Sequence, residues 1–100
     1  MVVRDVQLPE AEIADLCRRH HVRRLSLFGS ILSDEFKPES DVDMLVEFEP
    51  GRHPGLAFFG LQAELSDLIG RQVDLNTALD LSRYFRDEVV AGAKAIYAQE

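Results

Sequence analysis

Two short stretches of the chain carry residues suited to chemistry on a phosphate. Leu25-Ser26-Leu27-Phe28 is apolar enough to be a strand and runs into Gly29-Ser30. Small residues in such a turn let backbone N–H groups approach phosphate oxygens, and the dipole of any helix starting there favours negative charge. After ten further residues come Asp41-Val42-Asp43 and then Met44-Leu45-Val46. Residues two apart on a strand project from one face, so Asp41 and Asp43 aim at one point while Val42, Met44 and Val46 pack the other way. A pair of hard, oxygen-seeking divalent cations requires carboxylates placed like this. Together the Gly-Ser turn and the aspartate pair imply a nucleoside triphosphate carrying magnesium.

The surrounding pattern supplies elements to hold these residues. Pro9 at a first-turn position, acidic Glu10 and Glu12, and the Ile13/Leu16/Cys17 spacing predict a helix to about His20. Arg24 to Phe28 predicts a strand, Ile31 to Phe36 a short helix closed by Pro38, and Lys37 to Ser40 a turn into a strand over Asp41–Phe48. Pro50 to Gly55 is a loop, and His53 within it either touches nucleotide or is simply solvated. Leu56 to Ile69 reads as a helix with Phe58, Leu61, Leu65, Leu68 and Ile69 facing the core. Leu56, Phe59 and Ala63 fall nearly opposite, either as a partner or dimer contact or because the helix starts later and Phe59 folds inward. Gln72-Val73-Asp74-Leu75 predicts a short strand whose Asp74 side chain opposes its apolar neighbours, and Asp80 or Ser82 can cap a last helix with Phe85, Val89, Ala93 and Ile96 on one face. The expected fold is a single α/β (α+β) domain over residues 1–100, a small mixed sheet backed by helices.

This layout resembles the nucleotidyltransferase superfamily typified by DNA polymerase beta, and within it the single-domain minimal nucleotidyltransferases that act as antitoxins. The resemblance covers nearly the whole chain. It implies that Gly29 and Ser30 hold the nucleotide's phosphates, that Asp41 and Asp43 bind two magnesium ions, and that Asp74 completes the catalytic and metal site as a third carboxylate. It further implies transfer of AMP from ATP to a hydroxyl, a tyrosine on a helical HEPN-type ribonuclease toxin. Many relatives have a basic residue directly after Gly-Ser, where this chain has Ile31 and Leu32.

Composition narrows the partners. A formal charge of −7 opposes general affinity for nucleic acid and suits a basic protein. The local basic run Arg18, Arg19, His20, His21, Arg23 and Arg24 reads either as a solvated helix end or as a nucleotide or partner contact. The single cysteine, Cys17, forms no internal disulfide and belongs to the apolar stripe of the first helix, against the alternative of a reactive thiol. No signal-peptide core lies in the first ten residues, and the uncharged stretch from His53 to Ala63 is too short to span a bilayer, so a cytoplasmic setting without membrane contact is expected. Three functions remain open: the AMP transferase, an inactive antitoxin that neutralises its partner by contact, and a transferase acting on a small molecule such as an aminoglycoside. The last lacks a domain to recognise the sugar.

Overall fold

Alternation of apolar and polar residues along the chain builds a sheet with one face turned to a core. The computed structural model describes residues 1–99. A hairpin of β1 (Val2–Val3) and β2 (Val6–Gln7) precedes helix α1 (Glu10–Arg19) and strand β3 (Val22–Phe28). A single 3-10 turn, Gly29–Leu32, leads toward β4 (Val42–Phe48), and α2 (Ala57–Ile69) connects β4 to β5 (Val73–Asn76). After a second 3-10 turn at Ala78–Asp80 come α3 (Arg86–Gly92) and β6 (Lys94–Ala98). The main sheet has the order β5-β4-β3-β6; β4 and β5 are parallel and the other pairs antiparallel. This is the small mixed sheet with helices that the sequence predicts.

Its core is made by Leu25 and Leu27 of β3, Val42, Met44 and Val46 of β4 and Val73 and Leu75 of β5, against Ile13, Leu16 and Cys17 of α1 and Leu61, Leu65 and Ile69 of α2. Cys17 is buried, and burial, opposed by the nearby Arg18 charge, pushes its thiol up to about 12, which makes it a packing residue. The α2 helix stops at Gly70, whose left-handed backbone (φ 77°) lets its N–H return to the Ser66 carbonyl at 2.9 Å. Two polar side chains of α2 then seal the outer edge of β5. Ser66 Oγ accepts the Val73 N–H at 3.0 Å, and Gln62 Oε1 accepts the Leu75 N–H at 2.9 Å.

Four expectations are corrected. Ile96 lies on β6 and not on the last helix: Ala93 leaves α3 with extended backbone (φ −67°, ψ 142°), and Lys94–Ala98 satisfies the second edge of β3, which would otherwise carry unpaired N–H and C=O groups. Asp80 does not cap α3, because its carboxylate accepts the Thr77 N–H at 2.8 Å and the Thr77 hydroxyl at 3.0 Å and so closes the preceding 3-10 turn. The strand over Asp41–Phe48 begins one residue later, at Val42. The Gly-Ser turn opens no α-helix over Ile31–Phe36: Ser33 Oγ takes the Glu35 N–H at 3.2 Å, offering the backbone an alternative to helical bonding.

Ile31, directly after the Gly-Ser pair, is fully buried in the core. Trimming it to alanine should lower unfolding free energy by ~2–5 kcal/mol, read from denaturant midpoints. A midpoint shift near zero would place the Ile31 side chain outside the core.

Candidate active site

Strand pairing brings the acidic residues together. Asp43 lies opposite Asp74 across the parallel β4–β5 pair and opposite Phe28 across the antiparallel β3–β4 pair. The turn that leaves β3 therefore arrives beside Asp43. Gly29 there has φ +78°, and a Cβ built on it would run into the Asp43 Oδ2 atom. Glycine is thus needed twice, for the left-handed backbone and for the close approach to a carboxylate. Ser30 follows, half-buried, with its carbonyl accepting the Ser33 N–H at 2.9 Å. Because only one 3-10 turn starts here, phosphate binding would rest on the turn's N–H groups rather than on a helix dipole.

Asp43 is half-buried, whereas Asp41 and Asp74 are exposed. Burial, then the charge of Asp74, then that of Asp41, and a hydrogen bond that the protonated Asp43 carboxyl donates to Asp74 push Asp43 up from 3.8 to about 6. Both charges acting on it are negative, and the donor set is oxygen alone. Such a site fits a hard divalent cation, which would supply the missing positive charge. Among the described residues no three Asp, Glu, His or Cys side chains already form a closed metal cage. An ion here would be shared by carboxylates in pairs and completed by phosphate and water, the usual habit of magnesium.

Along β4 beyond Asp43, a cleft of about 430 Å³ is lined by Leu45, Phe48, Phe58, Leu79 and Val90, with His53 also bordering it. The basic run from the end of α1 into β3 meets surface acids: Arg19 and His20 approach Glu64 at 3.7 and 3.6 Å, and Arg23 approaches Glu47 at 3.5 Å. Phe59 stays outside the core, 63% exposed and edge-on to Phe58 with ring centroids 5.7 Å apart. Sequence reasoning missed Gln62 and Ser66, which hold the N–H groups of Val73 and Leu75, the residues on either side of Asp74. The available signal was a polar pair four apart among the apolar positions Leu61 and Leu65.

The family model for polymerase beta nucleotidyltransferases matches residues 11–100. A candidate protein adenylyltransferase of Methanocaldococcus jannaschii is 34% identical over 79 residues, 79% of this chain and 84% of that protein. A solved structure of a candidate minimal nucleotidyltransferase superposes with a TM-score of 0.69 at 34% identity, covering 84% of this chain and 85% of that one. A structure of the tri-AMPylated HEPN toxin of Shewanella oneidensis in complex with its minimal nucleotidyltransferase antitoxin shares the fold, with a TM-score of 0.61, 24% identity and coverage of 90% and 70%.

The elevated Asp43 gives a stability signature. Its folded carboxyl holds a proton more tightly than the unfolded one, so this contribution is full below pH 3.8 and is lost as pH rises through about 6. In chelator at pH 7–8, Asp43→Asn should therefore melt a few degrees above the unmutated protein, with the difference vanishing near pH 4. A lower melting temperature at pH 8 would contradict the repulsive cluster.

Proposed function

Since the chain belongs to the polymerase beta nucleotidyltransferase family, we propose that it transfers AMP from ATP to a tyrosine hydroxyl of a HEPN-type ribonuclease toxin, as the antitoxin of that pair. The observation that carries this reading is the convergence of Gly29, Asp43 and Asp74, with Asp41 one residue before β4. The tri-AMPylated toxin in the Shewanella oneidensis complex supports the acceptor class.

In the proposed reaction the acceptor oxygen bonds to the α-phosphorus, the bond from that phosphorus to the bridging oxygen breaks, and pyrophosphate leaves. Two magnesium ions held by Asp41, Asp43 and Asp74 would neutralise charge on the triphosphate and acidify the acceptor hydroxyl. Gly29 and Ser30 orient the terminal phosphates, a contribution of placement rather than bond-making. Asp74, exposed at the mouth of the pair, is the carboxylate that takes the hydroxyl proton. The charge of −7 favours a basic partner surface. No helix among the described residues is long and apolar enough to cross a membrane.

A second reading, an antitoxin that works by contact alone, draws on the exposed pair Leu56 (86%) and Phe59 (63%) at the start of α2. Either a toxin or a second copy of the chain would cover that patch. Transfer to a small molecule instead of a protein would appear as nucleotide turnover without modification of the toxin.

Asp41→Asn and Asp43→Asn should both abolish AMP transfer and magnesium-dependent ATP binding. Asp74→Asn should bind ATP–magnesium nearly normally while transfer falls roughly 10²–10⁴-fold, measured by intact mass of the co-purified toxin beside an ATP titration. Full transfer by the Asp74 variant would remove that residue from the mechanism, and no transfer by the unmutated protein would favour the contact antitoxin.

Phe59→Asp should weaken toxin binding or self-association in pull-down and size-exclusion experiments while the domain stays folded. Unchanged association would remove the patch from the interface.

A further inference from the structure

Asp41 stands outside the β-ladder that holds Asp43 and Asp74, because pairing of β4 with β5 begins at Val42. Its backbone is fixed by other means. The Arg71 Nη2 donates to the Ser40 carbonyl at 2.7 Å and to the Lys37 carbonyl at 3.2 Å. The first of these carbonyls belongs to the peptide that joins Ser40 to Asp41. On the other side of Asp41, the Val42 N–H donates to the Gln72 carbonyl at 2.9 Å. Both peptide planes flanking the Asp41 Cα are thus held by the consecutive residues Arg71 and Gln72, which lead directly into the strand of Asp74.

The guanidinium is itself set in place. Its central carbon lies 4.8 Å from the centroid of the Phe36 ring. The turn it grips is closed by the Ser40 N–H on the Lys37 carbonyl and the Lys37 N–H on Ser40 Oγ, both at 3.0 Å. Both hydrogens of Nη2 are spent on the two carbonyls while the central carbon sits over an aromatic face. A lysine ammonium could donate to both carbonyls, but as a compact point charge on a flexible stem it lacks the planar guanidinium that holds the donor between the ring and the turn.

We propose that Arg71 is a positioning residue: through the peptide it holds, it aims the Asp41 carboxylate at the ion shared with Asp43. This rests on the reading of Asp41 as an ion ligand. Partners that orient metal ligands typically change metal affinity by about 10–100-fold when removed. The sign of the effect separates positioning from simple electrostatics. Removing a cation from the neighbourhood of an ion site should tighten metal binding, whereas losing the clamp should loosen it.

The test is Mn²⁺ binding to nucleotide-free protein, followed by electron paramagnetic resonance, with circular dichroism to establish folding. Arg71→Lys and Arg71→Met should both raise the Mn²⁺ dissociation constant, by about tenfold, although lysine keeps the charge. Phe36→Leu, which removes the aromatic face but keeps apolar bulk, should act in the same direction and carries the test should Arg71→Met not fold. Combining Arg71→Lys with Asp41→Asn should weaken binding no further than Asp41→Asn alone, because the clamp acts through that carboxylate. Unchanged or tighter Mn²⁺ binding in the folded Arg71 variants, with Asp41→Asn impaired, overturns the positioning role and leaves the site intact. Mn²⁺ binding indifferent to Asp41→Asn overturns the metal reading and the positioning role with it.

Discussion

The fold holds two like charges opposite each other. Asp43 and Asp74 occupy paired positions on parallel strands, where the residues on both sides of each are buried apolar side chains. Val42, Met44, Val73 and Leu75 cannot reach the core in another register, since a slip by one residue would turn all of them to solvent. Burial of these side chains therefore sets the position of the carboxylates and keeps them together against their repulsion. The raised Asp43 is the visible residue of that conflict. A bound divalent cation would relieve that conflict.

Each acidic residue is held by a different device. Asp43 is locked by ladders on both sides of a central strand, Asp74 by one ladder and two side chains from α2, and Asp41 by the clamp at residues 71 and 72. The Gly-Ser turn touches the same assembly, since Gly29 abuts the Asp43 carboxylate. The Gly-Ser turn and the acidic strand thus pack as one unit.

Much of this was legible from residue spacing. The periodicity of α1, β4 and α2 emerges from single-element patterns: Ile13/Leu16/Cys17, Val42/Met44/Val46 and Leu61/Leu65/Ile69 are all buried. The facing of Asp43 and Asp74 follows from two strands that are each amphipathic. What escaped was set by contacts distant in sequence or by competition. Phe85, Val89, Ala93 and Ile96 keep helical spacing to the end, and only the open edge of β3 decides that the last segment is a strand. The β1–β2 hairpin turns through Arg4 and Asp5 at φ 49° and 67°, residues that give no strong turn signal. Arg71 meets the Lys37 and Ser40 carbonyls 34 and 31 residues away, a separation no local pattern records.

The two hydrogen bonds from β5 to Gln62 and Ser66 bear on how this molecule can associate. An edge strand recruits foreign strands by offering unpaired N–H groups. Here the Val73 and Leu75 donors are already occupied by the helix that delivers β5 to the sheet. A second chain adding itself to this border would have to break both bonds before making its own. Assembly by sheet extension is disfavoured on the side nearest Asp74, which steers any companion toward the β6 edge or toward helical and loop surfaces and leaves that carboxylate exposed.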